Sequence, residues 1–143
     1  MDRRIQIWNI LHDGEITAIS GEESGTLTMF VNIPFLRRRV EPLGDSFILI
    51  LEGLTYLEFQ DFDGTATQLR GEIDMGTIEI LSTDSESMPV KIFTTMGQLT
   101  LDFKNIHFAL DTGQKIEFEA IEKVCEEYWT EWEEKSRQNR QKS

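Results

Sequence analysis

Asp61 and Asp63 stand one residue apart in the run Asp61-Phe62-Asp63-Gly64-Thr65. Two carboxylates at that spacing, followed by glycine and threonine, could carry phosphoryl transfer. One would attack phosphorus and the other would protonate the leaving group. Elsewhere the chain offers the polar groups such a site would still need: Thr94 and Thr95 after Ile92-Phe93, Lys104, and Asp102 or Asp111. The same stretch can be read as a calcium loop starting at Asp61, and Glu72 then falls on the bidentate glutamate position. The glycine that such a loop needs at its sharp turn is replaced by Ala66.

The pentapeptide resembles the signature of the haloacid-dehalogenase-like phosphatases, which would make Asp61 the nucleophile and Asp63 the general acid. That chemistry requires Asp61 at the end of a buried parallel strand, with helices between successive strands to place the other groups. Buried parallel strands are continuously apolar, whereas here Leu57 and Phe59 alternate with Tyr56, Glu58 and Gln60. The context predicts an antiparallel strand running into an Asp63-Gly64 hairpin turn, of the same kind as Asp13-Gly14. No catalytic residue is assigned on this reading.

The remaining reactive side chains do not cluster in sequence. His12 and His107 lack a second histidine or paired cysteines at ligand spacing, so no metal or other cofactor is expected. Cys125, the single cysteine, falls on an apolar stripe, where a thiol behaves as a small hydrophobe. Arg37-Arg38-Arg39 is expected to pair internally or to face water. No glycine-rich phosphate loop opens a helix.

Positioning these residues falls to short strands. Leu27, Met29, Val31, Ile33 and Phe35 alternate with a mostly polar set, and Ser46–Leu51 is apolar on both faces like a central strand. Leu99-Leu101-Phe103, Ile106-Phe108-Leu110 and Ile116-Phe118 repeat the alternation. Weaker strands are read at Ile5–Leu11, Glu15–Ile19, Leu54–Phe62, Thr67–Ile73, Thr77–Leu81 and Val90–Thr94, with loops at 37–45 and 82–89. Glycines punctuate the runs, as a meander of hairpins requires. Near the end the period changes: Ile121, Val124, Cys125, Tyr128, Trp129 and Trp132 recur at three- and four-residue spacing, predicting an amphipathic helix over about 119–136.

The expected architecture is one mainly-β domain over 1–136, an antiparallel sandwich or barrel of about eight to ten strands carrying that C-terminal helix, with 137–143 a frayed polar tail. The helix is expected to dock on the sheet through Ile121, Val124, Tyr128 and Trp132.

A net charge of -12 disfavours nucleic acid and anionic membrane as partners and favours a basic protein. Lacking a signal-like segment or an apolar membrane span, the chain reads as cytoplasmic. Between Glu41 and Met88 there are eleven acidic residues against Arg70. The expected function is therefore a non-catalytic protein that binds another protein or itself. Its partner surface is drawn from Glu58, Glu72, Asp74 and Glu79, with Trp129 and Trp132 on the helix. The alternative is a hollow sheet structure holding a small apolar ligand, its cavity lined by Phe47, Leu49 and Leu51.

Overall fold

The computed structural model describes residues 2–21, 25–62, 66–67 and 78–141. The chain runs α1 (Arg3–Ile10), β1 (Glu15–Gly21), β2 (Leu27–Asn32), α2 (Pro34–Arg37), β3 (Ser46–Glu52), β4 (Tyr56–Asp61) and β5 (Ala66–Thr67). It continues through β6 (Ile78–Ser82), β7 (Val90–Thr94), β8 (Gly97–Asp102), β9 (Asn105–Leu110), β10 (Lys115–Ile116) and α3 (Phe118–Gln141). The described strands hydrogen-bond in the order β10-β9-β3-β2-β1-β6-β7-β8-β4-β5. Every described pairing is antiparallel, and the two end strands do not meet, so the sheet is open rather than a closed barrel.

β6 joins the two halves of this sheet. Its start pairs with β1 (Ile78 with Ile16, Glu79 with Glu15), and its end pairs with β7 (Ile80 with Thr94, Ser82 with Phe93). Alternate residues of both halves then face one core: Met29, Val31, Phe47, Leu49 and Leu51 from one, Val90, Ile92, Leu99 and Leu101 from the other.

Into that core goes α1, where a strand over Ile5–Leu11 was expected. Ile5, Ile7, Trp8, Ile10 and Leu11 are all buried, leaving mainly Gln6 and Asn9 as polar contacts to neighbours. These buried positions are spread around the helix rather than gathered in one stripe, which hides the helical period, and β-branched residues then read as strand. Asp2 is the start signal: its carboxylate accepts from the backbone N–H of Arg4 at 3.0 Å. The Arg4 guanidinium holds the same carboxylate, which pulls Asp2 below its ordinary pKa. Asn9 clamps the 82–89 loop, accepting from Thr83 N–H at 2.9 Å and donating to Thr83 O at 3.1 Å.

Because α1 precedes it, Asp13-Gly14 is not a hairpin turn between strands. It follows the helix, with Asp13 at φ 70, and pairs with β6 instead: Asp13 N–H donates to Ile80 O and Ile80 N–H to Gly14 O, both at 2.8 Å. The alternation read over Leu27–Phe35 stops at Asn32, because Pro34 opens the helical turn of α2. Phe118 belongs to α3 rather than to a strand with Ile116. α3 itself continues to Gln141, past the Ser136 expected from its apolar stripe, since Arg, Gln and Lys sustain a helix after the stripe ends.

α3 packs chiefly on α1 and α2 rather than on the sheet. Phe118 meets Phe108 of β9 at a ring separation of 6.0 Å, and Ile121 is fully buried. Beyond them the stripe rises out of the core: Val124, Cys125 and Tyr128 are partly buried, and Trp132 is 53% exposed. Among the described residues no helix is long and apolar enough to cross a membrane.

Candidate functional site: the outer half of the C-terminal helix

Tyr128 and Trp129 are neighbours on one side of α3, and Trp132 follows about one turn later. Tyr128 and Trp129 meet edge to face at 5.1 Å, and Trp129 and Trp132 do so at 5.9 Å. The first two rings have a support from another element. Phe35 of α2 packs against Tyr128 at 4.7 Å, and His12 stacks on Trp129 at 5.0 Å with planes 19° apart. His12 is itself held by a 2.7 Å hydrogen bond between Nδ1 and the Asn9 carbonyl. Arg39 closes the far side, with its guanidinium 5.2 Å over the Tyr128 ring and an ion pair to Glu131. Only Trp132 has no described residue stacked on its outer side, and it ends the row half in water.

The row is bordered by acid. Between Glu119 and Glu134 the helix carries seven glutamates and one basic residue, Lys123. At 100° per residue Glu122, Glu126 and Glu133 flank the tryptophans on one side and Glu131 on the other. Beneath the row lies Cys125, whose thiol approaches Ile10 O at 3.8 Å; burial, aided by Glu126 and Glu122 and opposed by a contact with Trp129, pushes it above its ordinary pKa. That suits packing rather than attack.

Of the strand-borne acids, Glu58 and Glu79 are not brought together: β7 and β8 separate β4 from β6. Glu58 accepts from the Tyr56 hydroxyl at 2.6 Å, while Glu79 stands opposite Glu15 and its backbone bonds to Thr95. Glu72 and Asp74 lie outside the described residues, as do Asp63, Gly64 and Thr65 and so the turn read there.

Asp61 ends β4, antiparallel to β8 and opposite Gly97. Gly97 in turn faces Thr94, whose hydroxyl donates to the Gly97 carbonyl at 2.8 Å. The other groups invoked for phosphoryl transfer are placed elsewhere. Lys104 follows the opposite end of β8, and Asp111 is bound to Arg37. Among the described residues no group of three or more His, Cys, Asp or Glu is arranged to hold a metal.

Arg37 pairs internally, one of the two outcomes expected for the arginine run, but with a burial the sequence did not indicate. It is fully buried, donating to Asp111 at 3.0 Å, to Ser46 O at 3.1 Å, to Glu41 O at 3.1 Å and to Leu43 O at 2.8 Å. Burial alone would raise the Asp111 carboxyl, but the N–H groups of Asp45 and Ser46 together with Arg37 outweigh it and hold the group below its usual value. This clamp fastens the 38–45 loop over the ends of β3 and β9 and presents Arg39 to α3.

A separate groove of about 340 Å³ lies where β9, β10 and the start of α3 meet, lined by Ile50, Ile106, Phe108, Ile116 and Phe118 among others. Phe47, Leu49 and Leu51, the residues expected around a ligand cavity, are instead fully buried in the core. Comparison with protein-family models, with curated proteins and with solved structures finds no match to this chain.

Proposed function

We propose that this protein is a non-catalytic, cytoplasmic interaction module that binds a basic segment of another protein on the outer half of α3. The observation that carries the reading is Trp132, 53% exposed at the end of a buttressed aromatic row with glutamates on both sides. Half-exposed tryptophan is costly to leave in water and is enriched among the residues that dominate binding. A lysine or arginine of the partner gains twice here, from the indole face and from the carboxylates beside it. Because Phe35, His12 and Arg39 already fix the neighbouring rings, little ordering remains to be done on binding.

The glutamates also choose the partner class: phosphate-rich nucleic acid and anionic bilayers are repelled by a net charge of -12. The test is a tryptophan-fluorescence titration with a lysine-rich amphipathic peptide and its glutamate-substituted counterpart. The basic peptide should shift the emission, with an affinity that falls as NaCl rises over the range where exposed charges become screened. Equal binding of both peptides, or no response to the basic one, contradicts the proposal.

A further inference from the structure

We infer that the groove between β9, β10 and α3 takes a short extended peptide segment with an apolar side chain, added as a strand to the free edge of β9. The inference rests on backbone direction and does not depend on the α3 face. Leu110 points both of its backbone groups away from β3: its N–H donates to Gln114 O at 2.7 Å and its carbonyl accepts from Gly113 N–H at 2.8 Å. Asp111, next in sequence, turns the other way and donates to Ser46 O at 3.2 Å. Backbone direction alternates along a strand, so Phe108 and Ile106 also direct their N–H and C=O groups outward from β3.

β10 meets the first of these and not the second. Its pairing with β9 covers Ala109 and Phe108 and ends at Ile116, because the chain turns into α3 at Phe118. The edge groups of Ile106 are left without a strand partner, and Ile106, itself largely buried, is one of the residues that line the groove. An unpaired N–H and C=O beside a concave apolar wall is the arrangement that strand addition uses: the main chain supplies hydrogen bonds and the pocket receives alternate side chains.

The lining fits a peptide better than a charged small molecule. Ile50, Ile116, Phe108 and Phe118 form the apolar wall. Its charges balance in sign: Lys115 and Arg3 against Glu117 and Glu52, with Glu52 paired to His107 and Arg3 poised 6.0 Å over the Phe118 ring. A neutral amide backbone suits such a rim, and a volume of about 340 Å³ lies within the range of small-ligand sites.

The probe is the capped tetrapeptide acetyl-Thr-Ile-Thr-Val-amide, with a second version N-methylated at the isoleucine and valine nitrogens. Amide hydrogen exchange and chemical shifts are followed by NMR on the full chain. Ile106 N–H should become protected on adding the first peptide, and N-methylation should weaken binding by about tenfold or more. Ile50→Lys, on the outer face of β3, should weaken it similarly while the spectrum stays folded. Equal binding of the methylated peptide, shifts that bypass β9 and β10, or no binding at millimolar peptide would overturn the inference. So would protection of Ile106 that rises with protein concentration alone, which would assign the edge to a second copy of the chain.

Discussion

Arg37 concentrates the fold's polar energetics in one side chain. Replacing it with alanine leaves Asp111 and the Ser46, Glu41 and Leu43 carbonyls without their donor, a loss of about 3–5 kcal/mol for breaking a buried pair. Arg37→Lys should recover little, because one ammonium cannot reach acceptors spread around a planar fork. Gly44 is tied to the same clamp: at φ 109, a side chain added there would start 2.6 Å from Arg37 Nη2. Gly44→Ala should therefore cost on the order of 1–3 kcal/mol, read from urea unfolding. The pH dependence follows from Asp111. Its pKa is depressed below 3.8 in the folded state, so its contribution is present above that value and is lost as pH falls through the lower folded value. Asp111→Asn should thus be destabilised at neutral pH, and its deficit relative to the parent should shrink on acidification below about pH 4. Cys125, with its pKa raised by burial, should alkylate more slowly at pH 8 than an unperturbed thiol.

At the scale of elements, the two ends of the apolar pattern behave oppositely. Trp8 is fully buried on α1, and Trp8→Ala should cost about 3–5 kcal/mol. Trp132, in a stripe that reads like core, is half exposed, and Trp132→Ala should cost about 1 kcal/mol or less in a thermal melt. A periodic stripe indicates which side of a helix is apolar but not where along its length the supporting elements stop. Here they stop near Tyr128, because α1 and α2 are short. The strands were legible for the same kind of reason: β2, β7, β8 and β9 bury alternate residues against one core and write that alternation in their side chains, while β3 is marked by an apolar run. α1 was not, since its buried residues are spread around the helix instead of forming one stripe, and Asp2 was its remaining sign. The acidic residues were visible individually, but adjacency was not: Glu58 and Glu79 come from nearby sequence, yet β7 and β8, later in the chain, insert between their strands.

For the molecule as a whole, the sheet provides the rigid body and the helices mount an aromatic face on it. Core residues from both halves lock around α1, the Arg37 clamp holds the loop that reaches α3, and the outer turns of α3 are left carrying tryptophan and glutamate. On the proposed reading this face serves binding rather than stability. The most direct test compares the affinity of the lysine-rich peptide for the parent protein and for Trp132→Ala at one fixed NaCl concentration, in proteins that both melt cooperatively. Trp132→Ala should lose at least about 2 kcal/mol in binding, roughly thirtyfold, although its removal barely moves the melt. Unchanged affinity in Trp132→Ala would contradict it.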